Sequence, residues 1–164
     1  MKRIESLGGP LILLPESCVP SWRGHVEESE EDDYWRASAS SEYISSINVG
    51  AGFGLALGDT PDSTAMLPVD LGLGLHRWVC ADSDEHMEAA LRASFPGAQL
   101  EEDMLFSFTG EKYVLFDSVH SGSEFEDFLE ITPPPGDYRI LTLRCTAPGA
   151  ESLVHLFKPR TDIV

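Results

Sequence analysis

The chain is short of basic residues. It carries 11 lysines and arginines against 28 aspartates and glutamates, a net charge of -17 over 164 residues. That imbalance argues against binding nucleic acid or an anionic membrane by charge, because both surfaces recruit basic proteins. Cysteine is scarce as well: Cys18, Cys80 and Cys145 are odd in number, lie far apart and form no CxxC pair. The spacing therefore excludes a disulfide framework, a zinc knuckle and a thioredoxin-like redox pair. Long apolar runs are missing. Leu11 to Leu14 spans four residues between Pro10 and Pro15, far short of the ~20 of a membrane span and too short for a signal-peptide core. Together these absences predict a cytoplasmic protein.

Catalytic and ligand motifs are also wanting. There is no GxSxG elbow, no HExxH and no lysine-bearing phosphate loop. Gly50-Ala51-Gly52-Phe53-Gly54 lacks the lysine and the following helix of such a loop, so it reads as a glycine-permitted turn. His25, His76, His86, His120 and His155 show no ligand spacing, and Glu27 to Asp33 lacks the turn glycine of an EF-hand. No cofactor, metal or catalytic residue is predicted, and the chain is read as no enzyme. The nearest thing to a catalytic set is Asp117, Ser118 and His120, so a small hydrolase using them is the alternative. The structural reading is that Asp117 and Ser118 tie a turn at a strand end.

What is present points to a folded domain. Hydrophobic residues make up 42 % of the chain, enough to build one core without staples, and residues 1–164 are read as a single domain. Short β-type runs alternate with Gly, Pro and Asp: Leu11 to Leu14, Tyr43 to Val49, Phe53 to Leu57, Leu75 to Ala81, Asp137 to Thr146 and Ser152 to Phe157. The second and third form a hairpin. Met66 to Val69 suits an edge or a loop, and the Trp78 face of Leu75 to Ala81 is read as buried. Asp82-Ser83-Asp84 caps a helix whose Met87, Ala90 and Leu91 recur at helical spacing, stopped by Pro96-Gly97. Met104 to Phe108 and Lys112 to Asp117 read as a hairpin, and Ser121 to Ile131 as a short helix with Phe125, Phe128 and Leu129 inward. About eight strands without a βαβ rhythm predict an α+β fold. It should be mainly antiparallel β, sandwich-like or a strongly curved sheet, with one or two short helices.

The carboxylates are clustered rather than spread. Glu27 to Asp33 holds six, Asp82 to Glu88 four, Glu101 to Asp103 three and Glu124 to Glu130 four. Residues 27–41 read as an acidic, polar loop, and aromatics flank this cluster, with Trp22 before it and Tyr34 and Trp35 after it. Aromatic anchors inside an acidic rim suit a protein partner with a basic surface. Glu30, Glu31, Asp32 and Asp33 are therefore read as rim charges and Trp35 as an anchor. The bland alternative is that both tryptophans belong to the core.

An ordered set of short segments resembles the immunity protein 21 family. It begins with Ser6-Leu7-Gly8-Gly9-Pro10-Leu11-Ile12 and Trp22-Arg23-Gly24. It continues through Asp33-Tyr34-Trp35-Arg36-Ala37, Leu57-Gly58-Asp59-Thr60-Pro61 and Arg77-Trp78-Val79. Leu115-Phe116-Asp117-Ser118 and Gly136-Asp137-Tyr138 complete it. The resemblance implies a bacterial antidote protein of a polymorphic-toxin system. Such a protein would bind and neutralise a co-encoded toxin, with no enzyme activity and no cofactor. Read with the charge, the toxin domain is expected to be basic, such as a nuclease. The remaining alternative is an acidic accessory subunit of another assembly.

Overall fold

A computed structural model describes residues 2–27, 32–40, 42–58, 61 and 63–161. The chain divides into two compact units. The first comprises Met1–Arg3, Ser63–Ser107 and Gly136–Val164, and the second Ile4–Asp62 and Phe108–Pro135. Most of the structure is antiparallel β in two sheets with a few short helices, as the α+β reading expects.

In the second unit the sheet is centred on β2 (Leu11–Pro15), every residue of which is buried. A continuous apolar run suits a strand covered on both faces. β2 pairs with β4 (Gly52–Leu57) on one side and β8 (Tyr113–Asp117) on the other. β3 (Ile44–Val49) joins β4 as the expected hairpin, and β9 (Leu129–Ile131) lies outside β8. Ile12 sits opposite Phe116 and Leu14 opposite Val114. These four side chains build one core with Trp22, Ala37, Ile47 and Val49.

The expected helix over Ser121 to Ile131 does not form. The segment runs through turns into β9, whose Leu129 and Ile131 take register positions opposite Leu115 and Tyr113. Sheet pairing overrides a weak helical pattern that opens Ser-Gly-Ser. The inward reading still holds. Phe125 stacks on Phe116 at 4.4 Å and meets Phe128 edge-on at 5.6 Å, and Leu129 is buried.

The first unit carries the larger sheet. Its order is β1 (Arg3–Glu5), β5 (Ser63–Met66), β6 (Gly74–Cys80), β11 (Ala150–Pro159), β10 (Gly136–Ala147) and β7 (Gln99–Phe108). Helix α2 (Asp84–Ser94) starts as predicted: the Ser83 side chain accepts from the His86 amide, and Asp84 and Glu85 occupy the first turn. Leu91 packs with Leu67, Cys145 and Val154.

Three expectations change here. β7 and β8 are not a hairpin but belong to different sheets. β8 is buried at all five positions while β7 is charged and largely solvated, so the two want different neighbours. Of the edge-or-loop reading of Met66 to Val69 only the edge fails. Met66 ends β5, which lies inside the sheet because the short β1 takes the edge. Leu67 and Pro68 belong to no strand and Val69 is 92 % exposed, as a loop expects. On β6 both faces are covered from Leu75 to Arg77, Trp78 is half-buried and Cys80 is exposed. Arg77 is fully buried, with its Nε donating to Thr64 Oγ1 at 3.2 Å. The guanidinium lies over a hydroxyl-bearing strand, which alternation alone does not reveal.

Candidate functional site: an acidic cleft beside a capped helix

In the second unit, residues 22–26 run against residues 118–122. The Trp22 indole donates to the Ser118 carbonyl at 3.0 Å, the His25 amide to the Val119 carbonyl at 2.9 Å, and the Gly122 amide to the Trp22 carbonyl at 2.8 Å. The backbones approach closely enough to require glycine. A Cβ on Gly122 would stand 1.7 Å from the Val19 oxygen, and one on Gly24, where φ is +69°, 2.6 Å from the Val119 oxygen. Trp22 is 1 % exposed and belongs to the core.

The end of the acidic run is a helix, not a loop: α1 (Asp33–Ser38). Asp32 is its cap. Its carboxylate accepts from the Trp35 amide at 2.7 Å and the Val26 amide at 2.8 Å, and lies 2.9 Å from His25 Nδ1. Burial alone would push this carboxyl up, but the two amides and the His25 ring outweigh it and hold it below the ordinary range. Asp33 accepts from the Arg23 amide and from Arg36, and Arg36 also donates to the Asn48 carbonyl. The edge of Tyr34 meets the His25 ring at 5.7 Å.

The predicted binding residues thus separate. Glu30 and Glu31 lie outside the described residues. Asp32 is 6 % exposed and committed to the cap, and Asp33 is half-buried. Trp35 is 51 % exposed on α1. Sequence reading missed the cap because the acids outnumber everything around them. The signal was there in Asp32 followed by Trp35 and Arg36 at helical spacing.

Asp117 and Ser118 hold a turn at the end of β8. Asp117 accepts from the Leu7 amide at 2.7 Å and the Val119 amide at 3.1 Å, while the Ser118 hydroxyl donates to the Pro10 carbonyl. With its proton committed to a carbonyl, the serine is engaged structurally rather than set against a base. His120 and Asp117 both line a cleft of about 280 Å³, together with Ile4, Glu5, Leu7, Glu124, Glu126 and Asp127. Leu7 is 80 % exposed, and Glu124, Glu126 and Asp127 are all exposed. Three carboxylates of the last acidic cluster thus line one concavity with an apolar lip. Among the described residues no group of His, Cys, Asp and Glu side chains is arranged to hold a metal ion.

A family model described as immunity protein 21 matches residues 2–151, which include α1, the Asp117 turn and every residue of the cleft. The chain belongs to the immunity protein 21 family. No curated protein and no solved structure gives a match. Membership assigns an immunity role and implies a toxin as partner. Among the described residues no helix is long and apolar enough to cross a membrane.

Proposed function

We propose that this immunity protein 21 family member neutralises a co-encoded toxin domain in the bacterial cytoplasm by binding a basic surface on it, such as the substrate channel of a nuclease. The supporting observation is the cleft. Glu124, Glu126 and Asp127 line it opposite an exposed Leu7, so charge and apolar contact are offered together. A net charge of -17 steers a basic partner toward the protein and repels nucleic acid and anionic membrane. Steering of this kind raises association rates ~10- to 1,000-fold at low ionic strength. Trp35 supplies an aromatic anchor, and Glu30 and Glu31 of the same acidic run add negative charge a few residues before it in the sequence. Inhibition by occupancy needs no catalytic residue and no cofactor.

The test is association kinetics with the toxin domain encoded beside this gene. Replacing Glu124, Glu126 and Asp127 by Gln, Gln and Asn should slow association roughly tenfold or more in low salt and flatten its salt dependence. The same replacement at Glu30 and Glu31 should act in the same direction. Trp35→Ala should instead speed dissociation, as loss of a buried anchor does. Unchanged rates and unchanged salt dependence in both acidic variants would remove the steering role from these surfaces.

A further inference from the structure

Sheet edges invite added strands unless something blunts them, and the edges of this protein are not blunted equally. β1 and β9 are each three residues long. β3 has six residues, and Arg36 from α1 donates to its Asn48 carbonyl. β7 is different. It is outermost in its sheet and ten residues long, with Leu100 50 % and Leu105 61 % exposed.

Its charges are partly spent. Glu101 accepts from Arg144 Nε at 2.7 Å and Asp103 from Arg139 Nε at 2.6 Å, both arginines lying on the neighbouring β10. Arg144 also pairs with Glu151. Three carboxylates share two guanidiniums, and β7 itself carries Glu101, Glu102 and Asp103 with no basic residue, so the strand's own charge is negative. Negative charge rules against self-pairing. A second copy laid antiparallel on β7 would set this acidic stretch against its own image, and like charges directly opposite destabilise a pair.

From this we infer that the outer edge of β7 accepts an extended basic segment of the toxin as an added strand. Main-chain hydrogen bonds along the edge supply affinity. Lysines or arginines on alternate positions of the segment meet Glu101 and Asp103 on one face, followed there by an apolar residue against Leu105. On the other face an apolar residue covers Leu100. The inference rests on the toxin-binding reading above but uses a strand in the first unit, where that reading used the second.

Hydrogen exchange on the complex with the co-encoded toxin domain tests it. In the free protein, alternate β7 amides, those not bonded to β10, should exchange quickly. In the complex they should be protected. Leu100→Lys with Leu105→Lys, both at exposed positions, should leave the far-ultraviolet spectrum and melting temperature unchanged and weaken the complex roughly tenfold or more. A complex that forms with β7 exchange unaltered and the double variant at full affinity overturns the added strand and leaves the toxin-binding reading standing. Absence of any complex overturns both. Protection of the same amides in the free protein that rises with its own concentration assigns the edge to a second copy and also overturns the inference.

Discussion

The two units bury polar groups by opposite means. Among the described residues of the second unit the buried polar side chains are Ser6, Asp32, Asp117 and Ser118, and main-chain amides or carbonyls engage each of them. In the first unit His76, Arg77 and His155 are buried. His155 Nδ1 meets Thr142 Oγ1 at 2.9 Å, but among the described residues the Nε2 atoms of His76 and His155 have no hydrogen-bond partner. Burial, with Arg3 nearby, lowers the His76 ring to about 4; burial, with Arg77 nearby, holds His155 well below its ordinary value. One unit holds a carboxylate charged, and the other keeps imidazoles neutral. The units should therefore respond to acid at different pH, and the polar groups near the cleft should serve the fold before they serve a partner.

The largest effect expected is on the packing under the second unit's polar turn. Trp22→Ala should cost about 3–5 kcal/mol in urea denaturation, because a fully buried indole is lost and the Ser118 carbonyl loses its donor. Trp22→Phe keeps most of the packing and should cost about 1 kcal/mol more than packing alone predicts. If Trp22→Phe cost no more than its lost packing, the indole hydrogen bond would count for nothing.

Next in size is the acid response of the first unit. His76 takes a proton near 6.5 when unfolded and near 4 when folded. Stability should thus be complete above pH 6.5, fall as pH drops through that window and level off below about pH 4. At ~1.36 kcal/mol per pH unit the loss from His76 amounts to about 3 kcal/mol. Denaturation midpoints at pH 7, 5.5 and 4.5 would show it, and His76→Gln should flatten the slope. Part of the slope should survive through His155, and a slope not reduced at all would remove His76 from the acid response.

Much of this architecture was legible in the chain. Leu11 to Leu14, the Gly50-Ala51 hairpin, the Ser83 cap and the stripe of Met87, Ala90 and Leu91 are local signals, and each formed. What failed depended on partners distant in sequence. Lys112 to Asp117 has the period of a strand but no mark of its neighbours, so its assignment beside Met104 to Phe108 missed that β8 pairs with β2. Phe125 and Phe128 gave their direction but not their backbone, since a helix and a turn can both aim them inward. The cleft was visible only as a count of carboxylates from Glu124 to Glu130. Its concavity comes from Leu7 and Glu5, more than a hundred positions earlier in the chain. Arg77 was the hardest to read, because nothing in LHRWVC announces a buried guanidinium bonded to Thr64.

The smallest effect sharpens the comparison most, because Asp32 sits between fold and interface. Asp32→Ala removes a cap with two amide donors and should cost about 1–2 kcal/mol, with α1 fraying first. Its carboxyl lies below the ordinary value of 3.8, so its contribution is complete above that pH and disappears as pH falls through the folded value. Asp32→Asn keeps an acceptor for the Trp35 amide, so it should lose less stability while erasing that acid dependence. Toxin association separates the two roles. If Asp32→Asn leaves the association rate unchanged while the Glu124, Glu126 and Asp127 variant slows it, the buried acid is scaffold and the exposed acids are interface. A slowed association in Asp32→Asn with α1 intact would instead give this buried charge a reach beyond its own cap, and the division between the two would fail at that residue.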